Sequence, residues 1–253
     1  MARAKRKTED PDLFANDSRG GSNYTAQDIE VLEGLEPVRR RPGMYIGGTD
    51  DGALHHLAAE ILDNAMDEAV AGHADRIAMH LGVDGALAIT DNGRGIPIDP
   101  HPKFKSKSAL EVILTTLHSG GKFDGKVYQT SGGLHGVGLS VVNALAATLK
   151  VEVARDKQLW AQEYAQGKPK GKLKKIKAVN NRRGTTVTFL PDPEIFGKNA
   201  AFAGARLFEM AKSKAYLFRG VEIRWSCDPK IAAAEDIPEA ETLQFPDGIL
   251  DYL

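Results

Sequence analysis

The 253-residue chain has a single cysteine, Cys227, so it can form neither an internal disulfide nor a zinc site built on several thiolates. It has no apolar run approaching the roughly 18–20 residues of a membrane-spanning helix, and Met1 to Gly21 lacks the apolar stretch of a secretory signal. A cytoplasmic protein with no membrane partner is expected. Charge of one sign is also missing: 33 lysines and arginines face 34 acids, a formal net charge of −1. No global field draws the chain to DNA or to an anionic membrane, and any nucleic-acid contact must be local. Gly-x-x-x-x-Gly-Lys-Ser/Thr and Gly-x-Gly-x-x-Gly are absent, which excludes a P-loop and a Rossmann site. Gly-x-Ser-x-Gly and His-Glu-x-x-His are absent too, and with them the hydrolase elbow and the zincin helix.

What is present is concentrated in three segments: Glu60 to Glu68, Asp91-Asn-Gly-Arg-Gly-Ile-Pro97, and Gly132-Gly-Leu-His-Gly-Val-Gly138. Apolar residues at 54, 57, 58, 61, 65 and 69 predict a helix that Gly72 stops. On that helix Glu60, Asn64 and Asp67 fall within about 60° of one another. No lysine or arginine occurs from Leu54 to Asp75, so a solvated, salt-bridged face explains them poorly. A carboxylate and an amide oxygen on one helix face suit a general base (Glu60) and a ligand for a hard cation such as Mg2+ (Asn64). His56, one turn earlier, is placed either to orient Glu60 or to serve the helix structurally.

Arg76 to Leu81 and Ala86 to Thr90 read as a hairpin that delivers Asp91 to a sheet end. Asp91 could cap a turn. Shielded from water, it could instead accept a hydrogen bond from an exocyclic amine, selecting adenine over guanine, with Gly93 and Gly95 allowing close approach. Arg94 has Glu68 as a candidate ion-pair partner. Ser108-Ala-Leu-Glu111 is a capping box for a helix expected to run to Ser119. Gly132, Gly133, Leu134, His135, Gly136, Val137 and Gly138 precede the next apolar helix, where backbone amides can hold phosphate oxygens, with Lys122 as an added point charge. Strands are expected at 149–154, 159–164, 185–190 and 221–225, with a helix at 203–217. Helices early and antiparallel strands late predict an α+β sandwich. Residues 1–23 read as a disordered tail, and the lysines between 168 and 177 as solvated loop charge.

Glu60-x-x-x-Asn64, Asp91-x-Gly-x-Gly95 and Gly132 to Gly138, in this order, resemble the ATP-binding boxes of the gyrase, heat-shock chaperone, histidine kinase and MutL superfamily. With Arg41-Pro-Gly-Met-Tyr45, His118-Ser-Gly-Gly-Lys122 and Gly184-Thr185, the likeness extends over residues 24–253 to the ATPase domain of bacterial type IIA topoisomerase B subunits. Glu36 to Arg41 and Asp247 to Leu253 are more similar to the topoisomerase IV branch than to the gyrase branch. The resemblance implies a two-layer α/β sandwich with a mixed, largely antiparallel sheet, in a fragment of a longer protein.

It further implies Glu60 as the base that activates water, Asn64 as Mg2+ ligand and Asp91 as adenine reader. Asp67, Gly95, Ile96, Pro97 and Thr185 would complete the ATP pocket, and Tyr24 on an N-terminal arm would reach the nucleotide of a second copy of the chain. Arg94 and Arg155 would meet aminocoumarin-type inhibitors. A topoisomerase A subunit, a homodimer formed on ATP binding, and DNA held by the whole complex are the implied partners. Against this stand a histidine kinase, for whose phosphoacceptor hairpin residues 1–53 leave no room, a nucleotide-sensing scaffold without turnover, and a DNA-binding module built on the lysine run.

Overall fold

Burial alternates along the central strands, and this alternation sets one face of a sheet against the helices. The computed structural model describes residues 29, 31–119 and 138–252. The chain divides into two units, Met1–Leu32 and Glu33–Leu253, and every described helix and strand lies in the second. In chain order these are α1 (Glu36–Arg40), α2 (Gly43–Ile46), α3 (Asp51–Val70), β1 (Arg76–Leu81), β2 (Leu87–Asp91), α4 (Ala109–Thr115) and α5 (Gly138–Leu145). There follow β3 (Ala146–Arg155), β4 (Gln158–Ala165), β5 (Lys168–Pro169), β6 (Lys174–Ala178), β7 (Gly184–Pro191), α6 (Pro193–Phe196), α7 (Gly204–Leu217), β8 (Glu222–Cys227), α8 (Pro229–Glu235), β9 (Ala240–Leu243) and a final 3-10 helix (Gly248–Tyr252).

The strands form one sheet in the order β5-β4-β3-β7-β2-β1-β8-β9, with β6 also paired to β4. Only β1 and β8 run parallel among these pairs. Ile77, Met79, Ile89, Val151, Phe189, Ile223 and Trp225 point to one side, where they meet Leu54, Leu57, Leu62, Leu145 and Leu207 of the helices in a single core. The result is the expected two-layer α/β sandwich with a mixed, largely antiparallel sheet. Among the described residues no helix is long and apolar enough to cross a membrane.

The site depends on α3. Asp50 caps it, its carboxylate accepting from the Ala53 amide at 2.9 Å, and Gly72 at φ 74° carries the chain out of it. His55 is buried and bridges two backbones: its Nδ1 lies 2.7 Å from the Asp51 carbonyl, and Nε2 accepts from the Ala203 amide at 3.0 Å. The pairing fixes α3 against the start of α7 and leaves the neighbouring His56 for a different task.

Several boundaries differ from the sequence reading. Ahead of α3 the chain forms two short helices, α1 and α2, whose buried residues are Val38 and Ile46. The capping box is real, Ser108 Oγ accepting from the Glu111 amide at 3.1 Å, yet α4 ends at Thr115 because Thr116 turns to extended backbone. The lysine run is exposed as expected but is not all loop: it supplies β5 and β6, whose backbones pair with β4. α8 and β9 carry no strong sequence period and were not anticipated.

Candidate functional site

Along one side of α3, Glu60, Asn64, Asp67 and Glu68 step from the start of α5 toward the loop after β2. Eight residues at 1.5 Å each separate Glu60 from Glu68, about 12 Å along the axis. At the α5 end, His56 Nε2 stands 3.3 Å from Glu60 Oε1. The Glu60 carboxylate lies so close to Gly138 that a Cβ there would collide with its Oε2. Only glycine lets α5 begin against this carboxylate. The Asn64 amide nitrogen donates to the Glu60 carbonyl at 2.8 Å, committing nitrogen to the helix and making oxygen the ligating atom of that side chain. Asp67 is buried, so the acidic face is not a solvated one.

Gly138→Ala is therefore expected to move Glu60 rather than unfold the chain, because the clash falls on the far end of a flexible side chain. In the general-base role that the resemblance implies for Glu60, a shift of this size costs up to about 100-fold in rate. Single-turnover phosphate release should fall by about 10–100-fold while the melting temperature changes by no more than a few degrees. An unchanged rate would show that Glu60 does not act from this position.

At the other end, Asp91 is buried and held by two backbone donors, with Oδ1 accepting from Gly93 N at 2.8 Å and Thr185 N at 3.3 Å. Burial pushes its carboxyl up to about 6, against the opposing pull of those two amides. Thr185 also ties in the next segment: its Oγ1 accepts from Ile96 N at 3.2 Å. The glycine of Gly184-Thr185 is required sterically, since at φ 108° a Cβ would run into the Asp91 carbonyl. Gly95, at φ 77°, sits under Val153 and the Ala154 carbonyl.

Both sequence-singled arginines border this region. Arg94 is clamped by Glu68, with Nη2 2.7 Å from Oε1, and Nε and its own backbone N 3.2 and 3.0 Å from Oε2. This is the ion pair anticipated from sequence, and it fixes the loop as well as the side chain. Arg155 Nη1 donates to the Gly95 carbonyl at 3.0 Å. Asn92, which the sequence reading passed over, accepts at Oδ1 from the amides of Asp75 and Arg76, both at 3.0 Å, and pins the end of β2 to the start of β1. No pattern marks such an asparagine before the fold is known.

The structure thus places Glu60, His56, Asn64, Asp67, Asp91, Arg94, Gly95, Ile96, Gly138, Arg155 and Thr185 around α3 and the sheet ends beside it. Tyr24, Lys122 and Gly132 to Val137 lie outside the described residues.

Residues 49–195 match the family of histidine kinase-, DNA gyrase B-, and HSP90-like ATPases. Over 233 residues, 92% of this chain and 34% of the relative, the sequence is 60% identical to the DNA topoisomerase 4 B subunit of Bartonella bacilliformis. It is 60% identical to the Caulobacter vibrioides protein of the same name over 91% of this chain and 33% of that one. The DNA gyrase B subunit of Haloferax volcanii is 46% identical over 92% of this chain and 35% of that protein. The chain thus spans about a third of these relatives and is more similar to the two topoisomerase 4 proteins than to that gyrase protein. Among solved structures, the 43K ATPase domain of Thermus thermophilus gyrase B in complex with an aminocoumarin superposes with a TM-score of 0.74. It is 39% identical, over 86% of this chain and 53% of that one.

Proposed function

Because this chain belongs to the histidine kinase-, DNA gyrase B-, and HSP90-like ATPase family, we propose that residues 24–253 form an ATP-hydrolysing domain of the B subunit of a type IIA DNA topoisomerase. The proposal favours the topoisomerase IV kind over gyrase B, on the higher identities of the former, and takes residues 1–23 as a tail outside the domain. The observation that carries it is the buried Asp91 carboxylate, fixed by Gly93 and Thr185 beside Glu68, which lies eight residues, about 12 Å, along α3 from Glu60. That separation matches the reach from a purine base to the end of its triphosphate.

In this reading Asp91 accepts the exocyclic amine of adenine, beside Asp67, Gly95, Ile96, Pro97 and Thr185. The amides of Gly132 to Gly138 and Lys122 hold phosphate oxygens. Glu60, oriented by His56, takes a proton from water as the water oxygen bonds to the terminal phosphorus and the bridging P–O bond to ADP breaks. Asn64 offers one neutral oxygen, which fits Mg2+, an ion that keeps waters and substrate phosphates in its shell. Bound there, the ion would neutralise charge on the phosphate oxygens. Tyr24 would reach the nucleotide of a second copy of the chain, so that ATP binding closes a dimer and hydrolysis reopens it. In the cytoplasm, coupling of that cycle to DNA strand passage would require the remaining domains and the topoisomerase A subunit. Arg94 and Arg155 would hold an aminocoumarin at the pocket mouth.

Magnesium ATP at about 100 times its Kd should add about 2.7 kcal/mol of stability, a rise of about 5–10 °C in Tm for a domain of this size. Magnesium GTP, which turns a carbonyl toward Asp91, should leave Tm unchanged. Equal shifts with both nucleotides would refute the base-reading role, and none with either would refute the proposal.

A further inference from the structure

Residues 168–183 carry six lysines, two arginines and no acid, which leaves 25 cations against 34 acids in the rest of the chain. None of the eight forms an ion pair among the described residues. Lysines on an exposed edge strand discourage edge-to-edge sheet pairing. That accounts for those of β6, but not for the cations on both sides of it or for the face on which several converge.

The register decides that face. Leu149, Val151 and Val153 point into the helical layer, so their β4 partners Tyr164, Gln162 and Trp160 share that side, and Ala165, Ala161 and Leu159 point to the other. Lys168 pairs with Ala165, Lys174 with Ala161 and Lys177 with Leu159, which puts these three lysines on the open side of the sheet. Arg182 reaches the same side, its Nη2 donating to Thr186 Oγ1 at 3.0 Å, and Thr186 is paired with Thr90. Arg182, Arg183 and Arg76 then border a recess of about 460 Å³ whose lining includes Ala78, Thr90 and Asn92.

From β6 to β1 the sheet crosses five strand spacings, about 24 Å. Between these limits the open face presents small, partly exposed side chains, among them Ala78, Ala88 and Thr188, so little bulk blocks a broad ligand there. The acids on the face are few. Glu152 lies 3.6 Å from Lys150, Glu222 is bound by Arg76 and Arg224, and Glu163 stands near the β5 edge. An extended polyanion with regular charge spacing is the chemistry that satisfies cations spread this way.

We propose that the open sheet face, from the Lys168–Lys177 edge to the Arg182–Arg183 loop, docks the sugar-phosphate backbone of duplex DNA without reading its sequence. The choice of DNA among polyanions rests on the strand-passage reading; the charged surface itself does not. The surface lies across the sheet from Glu60 and Asn64, and the recess at its end shares Asp91 in its lining with the nucleotide pocket.

The test is fluorescence polarisation of a labelled duplex of about 24 base pairs, titrated with this chain between about 50 and 200 mM salt. Affinity should fall steeply with salt. A combined Lys168→Gln, Lys174→Gln, Lys177→Gln and Arg182→Gln variant should bind about 10–100-fold more weakly and lower the log–log salt slope by about 3–4. Arginine at the three lysine positions should restore binding. A variant with Lys103, Lys105, Lys198 and Lys230 changed to Gln has the same net charge and should bind like the parent. The proposal is overturned by equal losses in both glutamine variants, by absent duplex binding at low salt, or by stronger capture on anionic phospholipid vesicles than on duplex. Stabilisation by ATP, read alongside, separates the two failures: if it persists while DNA binding is absent, this surface is wrong and the nucleotide reading is not.

Discussion

Replacing Glu60 with Gln is expected to cut single-turnover phosphate release by about 10²–10⁴-fold, the usual share of a positioned general base, while ATP still binds within a few-fold of the parent. Glutamine keeps the shape that fits against Gly138 but cannot take a proton from water. On the proposed mechanism His56, 3.3 Å from Glu60 Oε1, acts only through that carboxylate, so His56→Ala should lower the rate less and alter its pH profile. Single-turnover conditions isolate the chemical step from product release, and calorimetry with ATP reports binding apart from both. Persistent phosphate release by the glutamine variant would remove Glu60 from the base role and leave Asp67, on the same face of α3, as the next acid to test. Loss of binding together with rate would make Glu60 a nucleotide-positioning group instead.

Much of this site was legible in the sequence because its chemistry sits on regular elements. The period of α3 alone put Glu60, Asn64 and Asp67 on one face, and the hairpin 76–90 delivered Asp91 to a strand end, as β1 and β2 do. Even the Arg94–Glu68 pair followed from a lone arginine in a glycine turn and an acid on a helix with no basic neighbour. What escaped were long-range contacts made by residues with no local signature. Thr185 and Ile96 lie 89 residues apart, and only the pairing of β2 with β7 brings them together at Asp91. The helical period set His56 one turn before Glu60, but nothing in the sequence marks the adjacent His55 as the bridge between the Asp51 carbonyl and the Ala203 amide.

The lysine run shows a different limit. Alternating charge on both faces has no period for burial to reveal, so composition favours a loop. The strand forms because β4 offers an open edge, and backbone pairing needs no apolar side chain. The side to which each lysine points is then set by its partner on β4, information that the run itself does not contain.

Asp91→Asn should separate recognition from stability in opposite directions. Asp91 has two oxygens: Oδ1 is engaged by the Gly93 and Thr185 amides, which leaves Oδ2 to accept an exocyclic amine. Asparagine has one. If its oxygen keeps both amides, its NH2 faces the NH2 of adenine, donor against donor; if the amide flips, two buried N–H groups lose their acceptor. Either arrangement leaves buried polar groups unpaired, and ATP affinity should fall by about 10²-fold or more.

Stability should move the other way at neutral pH. Burial raises the Asp91 carboxyl from 3.8 to about 6, so the stability this group contributes when protonated is present below 3.8 and lost as pH rises through 6. Ionised and buried at pH 7.5, it costs on the order of 2–3 kcal/mol. The neutral amide avoids that cost. The Tm of Asp91→Asn minus that of the parent should therefore be more positive at pH 7.5 than at pH 4, with the change centred between 3.8 and 6. Thermal melts across that range give the stability arm and calorimetry with ATP the recognition arm. A Tm difference that does not vary with pH would mean that Asp91 is not a strained buried acid, and unchanged ATP affinity would mean that it does not read the base.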